Sequence, residues 1–309
     1  MIVAVDLNPS LDRTLTVARL ETGAVNRAQS VRLDAGGKGL NVARALSAWG
    51  LPVQAMALVG GGTGATLLRL LKEAEVPCEA VQIEGETRSN VTLIDSAAGT
   101  YIKVNEPGPV VMLEELDALE ERITARVAKD DLWIFSGRLP IGAPLDTYAR
   151  LIHIVQSRGA RALLDTSGRP LVLGAAARPF LLKPNREEAQ DLTGRPVENE
   201  ADAVCLIREL WARGIEVVAL TRGAEGAIVG SGGTIVAAAP PEVEVAGPVG
   251  SGDALMAALA WAISEGLPLP EMARLAVAAG TATAQVEGTG IASLAQVRDV
   301  ERRVQVRVL

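Results

Sequence analysis

Histidine, cysteine and aromatic residues are nearly missing from this 309-residue chain, which has one His, two Cys and an aromatic share of 3%. A Ser–His–Asp mechanism would have to use the single histidine, His153, and no GxSxG segment accompanies it. His153 falls inside an apolar helical pattern, so a packed or surface position is expected. No His/Cys cluster has zinc spacing. Cys78 and Cys205 stand in unrelated contexts, with no CxxC motif or secretory framework, which predicts reduced, buried thiols. Basic runs are also lacking. The net charge is −7, from 30 Lys+Arg against 37 Asp+Glu. Such a surface repels nucleic acid, and a site for an anionic substrate must supply its positive charge locally. No apolar run approaches the ~20 residues of a bilayer span; the longest dense stretch, Ala254 to Ile263, is too short. The opening Met1-Ile-Val-Ala-Val-Asp6 reads as a strand rather than a signal segment. The expectation is a cytoplasmic protein with no membrane or nucleic-acid partner.

The chain does have aliphatic residues in quantity. Hydrophobic residues make up 49% and charged residues 22%, enough for a substantial core. Built from Ala, Val, Leu and Ile, that core suits parallel strands covered by helices. Apolar runs predict strands at Ile2–Asp6, Val53–Val59, Leu132–Ser136, Arg161–Asp165, Phe180–Lys183 and Val217–Thr221. Helical patterns fall between them at Leu40–Trp49, Ala65–Glu75, Leu113–Ala128, Leu145–Ser157 and Ala201–Arg213. This alternation argues for an α/β fold, a mostly parallel sheet with helices on both faces. Two stretches, roughly 11–34 and 86–106, instead alternate polar and apolar residues with period two, as in Asn90-Val-Thr-Leu-Ile-Asp95. They predict antiparallel strands forming a small sheet beside the main one, a candidate lid over a crevice. No repeat or linker divides the chain, so residues 1–309 read as one domain.

Several segments have residue types suited to chemistry, each with a plainer reading beside it. Gly250-Ser251-Gly252-Asp253 lies between a strand-like run, Val243–Ala246, and a helical run, Ala254–Ser264. Glycines allow a tight turn whose N–H groups, with the helix dipole, make an anion site. Asp253 beside that site suits a base taking a proton from an attacking hydroxyl; an Asp N-cap after a glycine loop explains the same residues. Ala35-Gly-Gly-Lys-Gly-Leu-Asn41 opens another helix and is not a Walker A loop, since no Ser or Thr follows Lys38. It can bind phosphate or sugar hydroxyls, or be a glycine turn with a solvated lysine. Arg88 and Asn90 share one side of a strand. The Arg fork suits an oxyanion, and a solvated strand face is the alternative. In Lys183-Pro-Asn185-Arg-Glu-Glu188 the spacing of Asn185 and Glu188 is that of a capping box, and Glu188 is also placed to hold a metal-bound water. Asp12, in Asn8-Pro-Ser-Leu-Asp12, is a candidate acceptor for sugar hydroxyls where turn chemistry serves equally.

Taken in order, Asn8-Pro-Ser-Leu-Asp12, Gly36-Gly-Lys-Gly-Leu-Asn41, Gly85-Glu-Thr-Arg88, Lys183-Pro-Asn185 and Pro248-Val-Gly-Ser-Gly-Asp253 resemble the ribokinase-like carbohydrate kinases end to end, most of all their 1-phosphofructokinase / tagatose-6-phosphate kinase branch. The resemblance implies a three-layer αβα core with a small β lid, ATP as phosphoryl donor and Mg2+ as cofactor. It implies Asp253 as catalytic base with Gly250, Ser251 and Gly252 as anion hole. Asp12, Gly37 and Asn41 would hold sugar hydroxyls, with Asn90 beside them, and Lys38 and Arg88 the substrate's existing phosphate. Lys183, Asn185, Thr221, Gly223 and Gly226 would lie on the nucleotide side, and Glu188 near magnesium through water. Lids of this family often pair two copies. The chain departs from the pattern at Arg138, where a small Ser is usual and which offers a second cation for the phosphate. It departs again at Arg222, in place of an apolar residue, and at Ala254, where Ser is common.

The implied reaction is phosphorylation of a phosphorylated ketohexose. Fructose 1-phosphate is the first choice, with tagatose 6-phosphate or fructose 6-phosphate as the alternative. Two readings from other classes remain. Gly60, Gly62 and Ala65 fit a GxGxxA dinucleotide pattern with Glu84 about 20 residues on, but that reading leaves Gly250–Asp253 and Lys38 unused. A non-catalytic sugar-phosphate sensor would have no need of Asp253.

Overall fold

A strand followed by a polar hairpin opens the chain, and a second hairpin of the same kind follows after two αβ units. In this computed structural model, which describes residues 1–247 and 249–309 and so leaves Pro248 of the last motif outside the described residues, the order is β1 (Ile2–Asp6), β2 (Ser10–Val17), β3 (Ala28–Gly36), α1 (Lys38–Ala48), β4 (Val53–Val59), α2 (Gly61–Glu73), β5 (Cys78–Gln82), β6 (Arg88–Asp95) and β7 (Thr100–Asn105). The alternation then continues through α3 (Leu113–Arg126), β8 (Leu132–Ser136), α4 (Thr147–Ser157), β9 (Arg161–Asp165), α5 (Gly168–Ala176), β10 (Leu181–Leu182), α6 (Arg186–Thr193), α7 (Glu200–Ala212) and β11 (Val217–Thr221). The last part adds β12 (Ala227–Ser231), β13 (Thr234–Ala239), α8 (Ser251–Ser264), α9 (Leu269–Ala284), α10 (Leu294–Glu301) and β14 (Gln305–Val308).

The main sheet runs β14-β13-β12-β11-β10-β9-β8-β1-β4-β5. Its strands are parallel from β5 through β11 and antiparallel from β11 to β14. Side chains alternate between faces along β1. Ile2 and Ala4 join one apolar cluster with α1, α2, α8, α9 and α10, while Val3 and Val5 join another with α3 to α7. Two cores on opposite faces of one sheet make the three-layer αβα arrangement.

Five of the six expected strands form with the expected bounds. The sixth, Phe180–Lys183, shortens to Leu181–Leu182, because Pro184 brings no N–H to the ladder. Val243–Ala246 is not a strand: it is irregular, and the Ala246 and Gly247 N–H groups both donate to the Ala284 carbonyl. Helices α5, α9 and α10 lie outside the periodic runs. In α9 nearly every side is buried, so the amphipathic period is lost. Gly280 is what lets α9 lie against α8, since a Cβ there would sit 3.1 Å from the Ser251 carbonyl oxygen. The two cysteines are unpaired, but only Cys78 is partly buried; Cys205 is exposed on α7, which corrects the expectation of two buried thiols.

The small sheet, ordered β3-β2-β6-β7, occupies the expected segments. It is not wholly antiparallel. Two antiparallel hairpins join through a parallel β2–β6 pairing. Register divides it into two faces. Asp34, Asp12, Asn90 and Asn105 are successive cross-strand partners and make a polar row. Val31, Leu15, Leu93 and Ile102 make a parallel apolar row on the other face, since their positions differ from the first row by an odd number along each strand. No helix among the described residues is long and apolar enough to cross a membrane.

Candidate active site

The carboxyl ends of the parallel strands form a line of polar residues. Asp6, Ser136 and Asp165 are register partners at the ends of β1, β8 and β9. Lys183 follows β10 directly, and Thr221 ends β11 and bridges to Asn185. In open α/β sheets this edge is where ligands bind. The polar row of the lid faces it across a crevice of about 400 Å³. Asp12, Arg88, Asn90, Lys103 and Asn105 line the crevice from the lid side; Gly37, Lys38 and Asn41 from α1; Asp165, Lys183, Asn185, Glu188 and Thr221 from the strand ends; and Val249, Gly250, Gly252 and Asp253 from the start of α8. A larger hollow of about 650 Å³ lies on the other side of Arg88, but its lining has three glutamates and no lysine.

Two helices begin at this crevice. At α1 the buried Asp6 carboxylate accepts from the Gly39 and Leu40 N–H groups at 2.9 and 3.3 Å and from Asn8 N–H at 3.1 Å. It therefore caps the helix from a distant strand. Burial pushes its carboxyl up to about 6 against the pull of those N–H donors. Gly37, with φ 114°, has no room for a Cβ against the Asp6 carboxylate, which explains a glycine before Lys38. At α8, Gly250 is the left-handed N-cap, with φ 84°, and the helix opens with its N–H groups toward the crevice. Asp253, in the first turn, is only 7% exposed. Its Oδ2 accepts from Asn41 Nδ2 at 2.8 Å. Burial pushes this carboxyl up to about 7; Lys38 opposes the shift, Asp165 adds to it, and the Asn41 hydrogen bond and Lys183 oppose it.

Near Asp253 two lysines pair with one buried carboxylate. Asp165, 1% exposed, meets Lys38 Nζ through Oδ1 and Lys183 Nζ through Oδ2, each at 3.1 Å. The Lys38 contact is an aligned hydrogen bond, and the Lys183 contact is an ion pair without that alignment. Burial alone would raise the Asp165 carboxyl, but the two ammonium groups outweigh it and hold it below the ordinary range. Lys183 is buried, whereas Lys38 keeps an open side toward the crevice. Asp165 holds the Lys38 ammonium above its ordinary range against the effect of burial.

Asn185 and Glu188 form the capping box of α6, with Asn185 Oδ1 accepting from Glu188 N–H at 2.9 Å and Glu188 Oε2 from Asn185 N–H at 2.8 Å. Glu188 lines the crevice all the same, and burial raises its carboxyl. Its Oε1 meets no protein donor among the described residues, and a single free carboxylate oxygen beside the crevice fits magnesium, which keeps several waters and takes few protein ligands. Among the described residues no group of three or more His, Cys, Asp or Glu forms an all-protein metal cage.

The Gly85-Glu-Thr-Arg88 segment anchors the lid. Glu86 Oε1 accepts from Thr63 N–H at 2.6 Å at the start of α2, and Thr87 Oγ1 from Gly60 N–H at 2.9 Å. This carboxylate fills the helix start that a GxGxxA reading needs for a pyrophosphate, so the dinucleotide alternative has no anion site there. Arg88 donates to the Asn8 and Glu106 carbonyls at 2.9 to 3.1 Å and still reaches the crevice lining. Asp12 Oδ1 accepts from Ser10 Oγ and Asn90 Nδ2, both at 2.8 Å.

Four expected site residues lie off the lining: Ser251, Arg138, Gly223 and Gly226. Arg138 is exposed and makes no hydrogen bond among the described residues. Gly226 has φ 82° and no room for a Cβ against the Ala238 carbonyl, so packing between β12 and β13 accounts for it. Arg222 turns to Glu225 and Glu200, and His153 is exposed on α4. Sequence reasoning missed Asp165, Lys103 and Asn105. Asp165 ends a parallel strand, and Lys103 and Asn105 share parity with Asn90 across the lid; both signals were available.

The sequence model of the pfkB family carbohydrate kinases matches residues 1–296. The chain belongs to this family. It is 37% identical over 281 residues to a 1-phosphofructokinase of Xanthomonas campestris pv. campestris, covering 89% of this chain and 88% of that protein. Phosphofructokinase-2 from Escherichia coli, in a crystal structure in complex with potassium, superposes with a TM-score of 0.94 at 29% identity and covers 98% of both chains. The same enzyme in complex with fructose-6-phosphate superposes with a TM-score of 0.91 at 28% identity, again over 98% of both. The chain is a sugar-phosphate kinase with a ribokinase-like fold.

The raised Asp253 carboxyl has a consequence for stability. Its value of about 7 in the folded chain, against 3.8 when free, means that the folded state holds the proton more tightly. The group therefore favours folding at low pH and loses that contribution as pH rises through about 7. Asp253→Asn should match the parent in Tm near pH 4 and exceed it by at least ~2 °C at pH 8, as read by calorimetry across pH. Parallel Tm curves would mean that the charge is not buried in solution.

Proposed function

We propose that this kinase transfers the γ-phosphoryl group of ATP to the free primary hydroxyl of fructose 1-phosphate, giving fructose 1,6-bisphosphate and ADP. One observation supports this above the rest: a buried carboxylate, Asp253, shares the first turn of a helix with open N–H groups and faces Lys38 and Asn41 across the crevice. In the proposed reaction the sugar oxygen attacks the γ-phosphorus and its proton passes to Asp253. The bond from phosphorus to the bridging oxygen breaks, and ADP leaves with that oxygen. Gly250, Ser251 and Gly252 supply N–H groups to the charge on the transferring phosphoryl. Asp12, Gly37, Asn41 and Asn90 hold sugar hydroxyls, and Lys38 and Arg88 the phosphate already present. Lys183, Asn185 and Thr221 make the nucleotide side, with Gly223 and Gly226 shaping the turn behind Thr221 rather than lining the crevice. Glu188 would hold magnesium through water, and such an ion supplies charge neutralisation to the phosphates of ATP.

The choice of fructose 1-phosphate rests on the 1-phosphofructokinase relatives and on the two cations, Lys38 and Arg88, which a neutral sugar would leave unused. The fructose-6-phosphate complex of the Escherichia coli neighbour favours fructose 6-phosphate as the second reading, with tagatose 6-phosphate beside it. An ADP-release assay with MgATP decides among fructose 1-phosphate, fructose 6-phosphate, tagatose 6-phosphate, fructose and ribose. A kcat/KM for fructose 1-phosphate at least ~100-fold above the free sugars, about 2.7 kcal/mol in the transition state, is expected. Equal activity on ribose would remove the phosphate roles of Lys38 and Arg88.

The base role predicts a pH profile. With the carboxyl at about 7 in the free protein, kcat/KM should fall tenfold per unit on the acid side of that value, because only the ionised form takes a proton. Asp253→Asn should lower kcat by roughly 10²–10⁴-fold while nucleotide binding, measured by calorimetric titration, persists. Normal turnover by this variant would assign the base elsewhere.

The apolar face of the lid supports pairing of two copies. Val31 and Ile102 are 53% and 48% exposed and lie in the row opposite the crevice. Light scattering should show a dimer that Ile102→Lys shifts toward monomer. An unchanged mass would turn the proposal toward some other surface.

A further inference from the structure

Asn41 is held from both sides by groups of opposite charge. Its Nδ2 donates to Asp253 Oδ2 at 2.8 Å, and its Oδ1 accepts from Arg44 Nη1 at 3.2 Å. Turned over, the amide would aim its oxygen at a carboxylate and its NH2 at a guanidinium. The two neighbours therefore enforce one orientation, and each is needed where the other is weak. Arg44 is itself fixed. It lies one turn along α1 from Asn41, its side chain is 15% exposed, and it donates to the Ala35 carbonyl at 2.8 Å. Its other nitrogen lies 3.9 Å from Asp34 on β3. Asp34 in turn accepts from Arg32 Nε and from Thr289 Oγ1, both at 2.8 Å. Arg32 also reaches the Glu287 carbonyl, so the lid strand is tied to the segment after α9. A continuous chain of contacts thus runs from the lid and the segment after α9 through Asp34, Arg44 and Asn41 to Asp253.

We propose that Arg44 is a positioning residue: seated by Asp34 of the lid strand, it holds the Asn41 amide in the one orientation that donates to Asp253. The proposal rests on the reading of Asp253 as the base and goes beyond it, since Arg44 does not line the crevice and has no contact with the reacting groups. The groups facing Asp253 are Lys38 and Asn41 from α1, Asp165 from β9 and Lys183 after β10; those facing Arg44 are Asp34 and Arg32 from β3 and Asp12 from β2. Of these, only Asn41 touches both. Loss of the guanidinium frees the amide to rotate. Its donation to the ionised base is then intermittent, and the ionised form loses a hydrogen bond that favours it.

The test compares Arg44→Met, which keeps length and removes the donors, with Thr289→Val, a milder change that removes one support of Asp34. The Asp253 carboxyl is titrated by 13C NMR in each, with Asp253→Asn to assign the signal, and kcat is measured across the same pH range. Arg44→Met should raise the titration midpoint by about half a unit or more. It should lower kcat by roughly threefold or more at pH 6.5 and much less at pH 9, with a smaller change of the same sign in Thr289→Val. In an Asn41→Ala background Arg44→Met should add nothing to the midpoint shift. An unmoved midpoint with a uniform loss of kcat or of Tm would make Arg44 a structural residue only and overturn the proposal. If Arg44→Met does not fold, an unmoved midpoint in Thr289→Val and in Arg44→Lys does the same. Failure of the base reading is distinct: Asp253→Asn would then turn over normally, whatever the NMR titration of Arg44→Met shows.

Discussion

Everything at the crevice depends on Asp165. A carboxylate this deeply buried would take up a proton if left alone, and the two lysines would then repel each other with no counter-charge between them. With Lys38 on one oxygen and Lys183 on the other, it stays ionised. The two ammonium groups are thereby fixed at the mouth of the sheet. Removing Asp165 would free Lys38 and strand Lys183 in the interior. The same arrangement sets the proton affinity of Asp253. Lys38 and Lys183 lower it, Asp165 raises it, and burial outweighs their sum. A carboxyl that titrates near neutrality thus arises from a charge balance several residues wide.

The lid is organised by parity. A strand that shifted by one residue would turn Asp12 or Asn90, and with it part of the polar row, away from the crevice. Register is pinned at one end by Glu86 and Thr87 on the start of α2 and by the Arg88 clasp on two carbonyls. At the other end it is pinned by Asp34 against Thr289. The segment that resembles a phosphate-binding motif in the sequence therefore also does mechanical work.

Local signals made the frame legible. Strands β1, β4, β8, β9 and β11 follow from short aliphatic runs because buried parallel strands need nothing else, and the lid follows from period two because one face is polar. Helix α9 was hidden for the opposite reason: buried on nearly every side, it has no period to find. Glycine turns and helix starts gave Lys38, Asn41, Gly250 and Asp253, since their spacing is local. Asp165 took its place through Lys38, 127 positions away, and through Lys183 beyond the next strand; Arg44 has its partners nearby in the chain, at Asn41, Ala35 and Asp34, but no motif marks them. Arg138, Gly223 and Gly226 show the reverse, residues attractive in a motif that the lining of the crevice does not include.

The crevice lining holds four acidic residues, Asp12, Asp165, Glu188 and Asp253, and four basic ones, Lys38, Arg88, Lys103 and Lys183. Taken at face value that is a neutral site in a chain of net charge −7, a poor host for a sugar phosphate together with ATP. The balance tips because burial raises the Asp253 carboxyl to about 7, so near neutral pH the lining has a partial excess of positive charge. An arriving phosphate would meet Lys38, which has an open side, before Lys183, which has none. Its charge would lift the Asp253 carboxyl further, making Asp253 a stronger proton acceptor in the complex than in the free protein. A divalent cation on Glu188 would act in the opposite sense. The proton affinity of Asp253 would then be set by the balance of those two effects, on top of the opposing pulls of Asp165 and its two lysines.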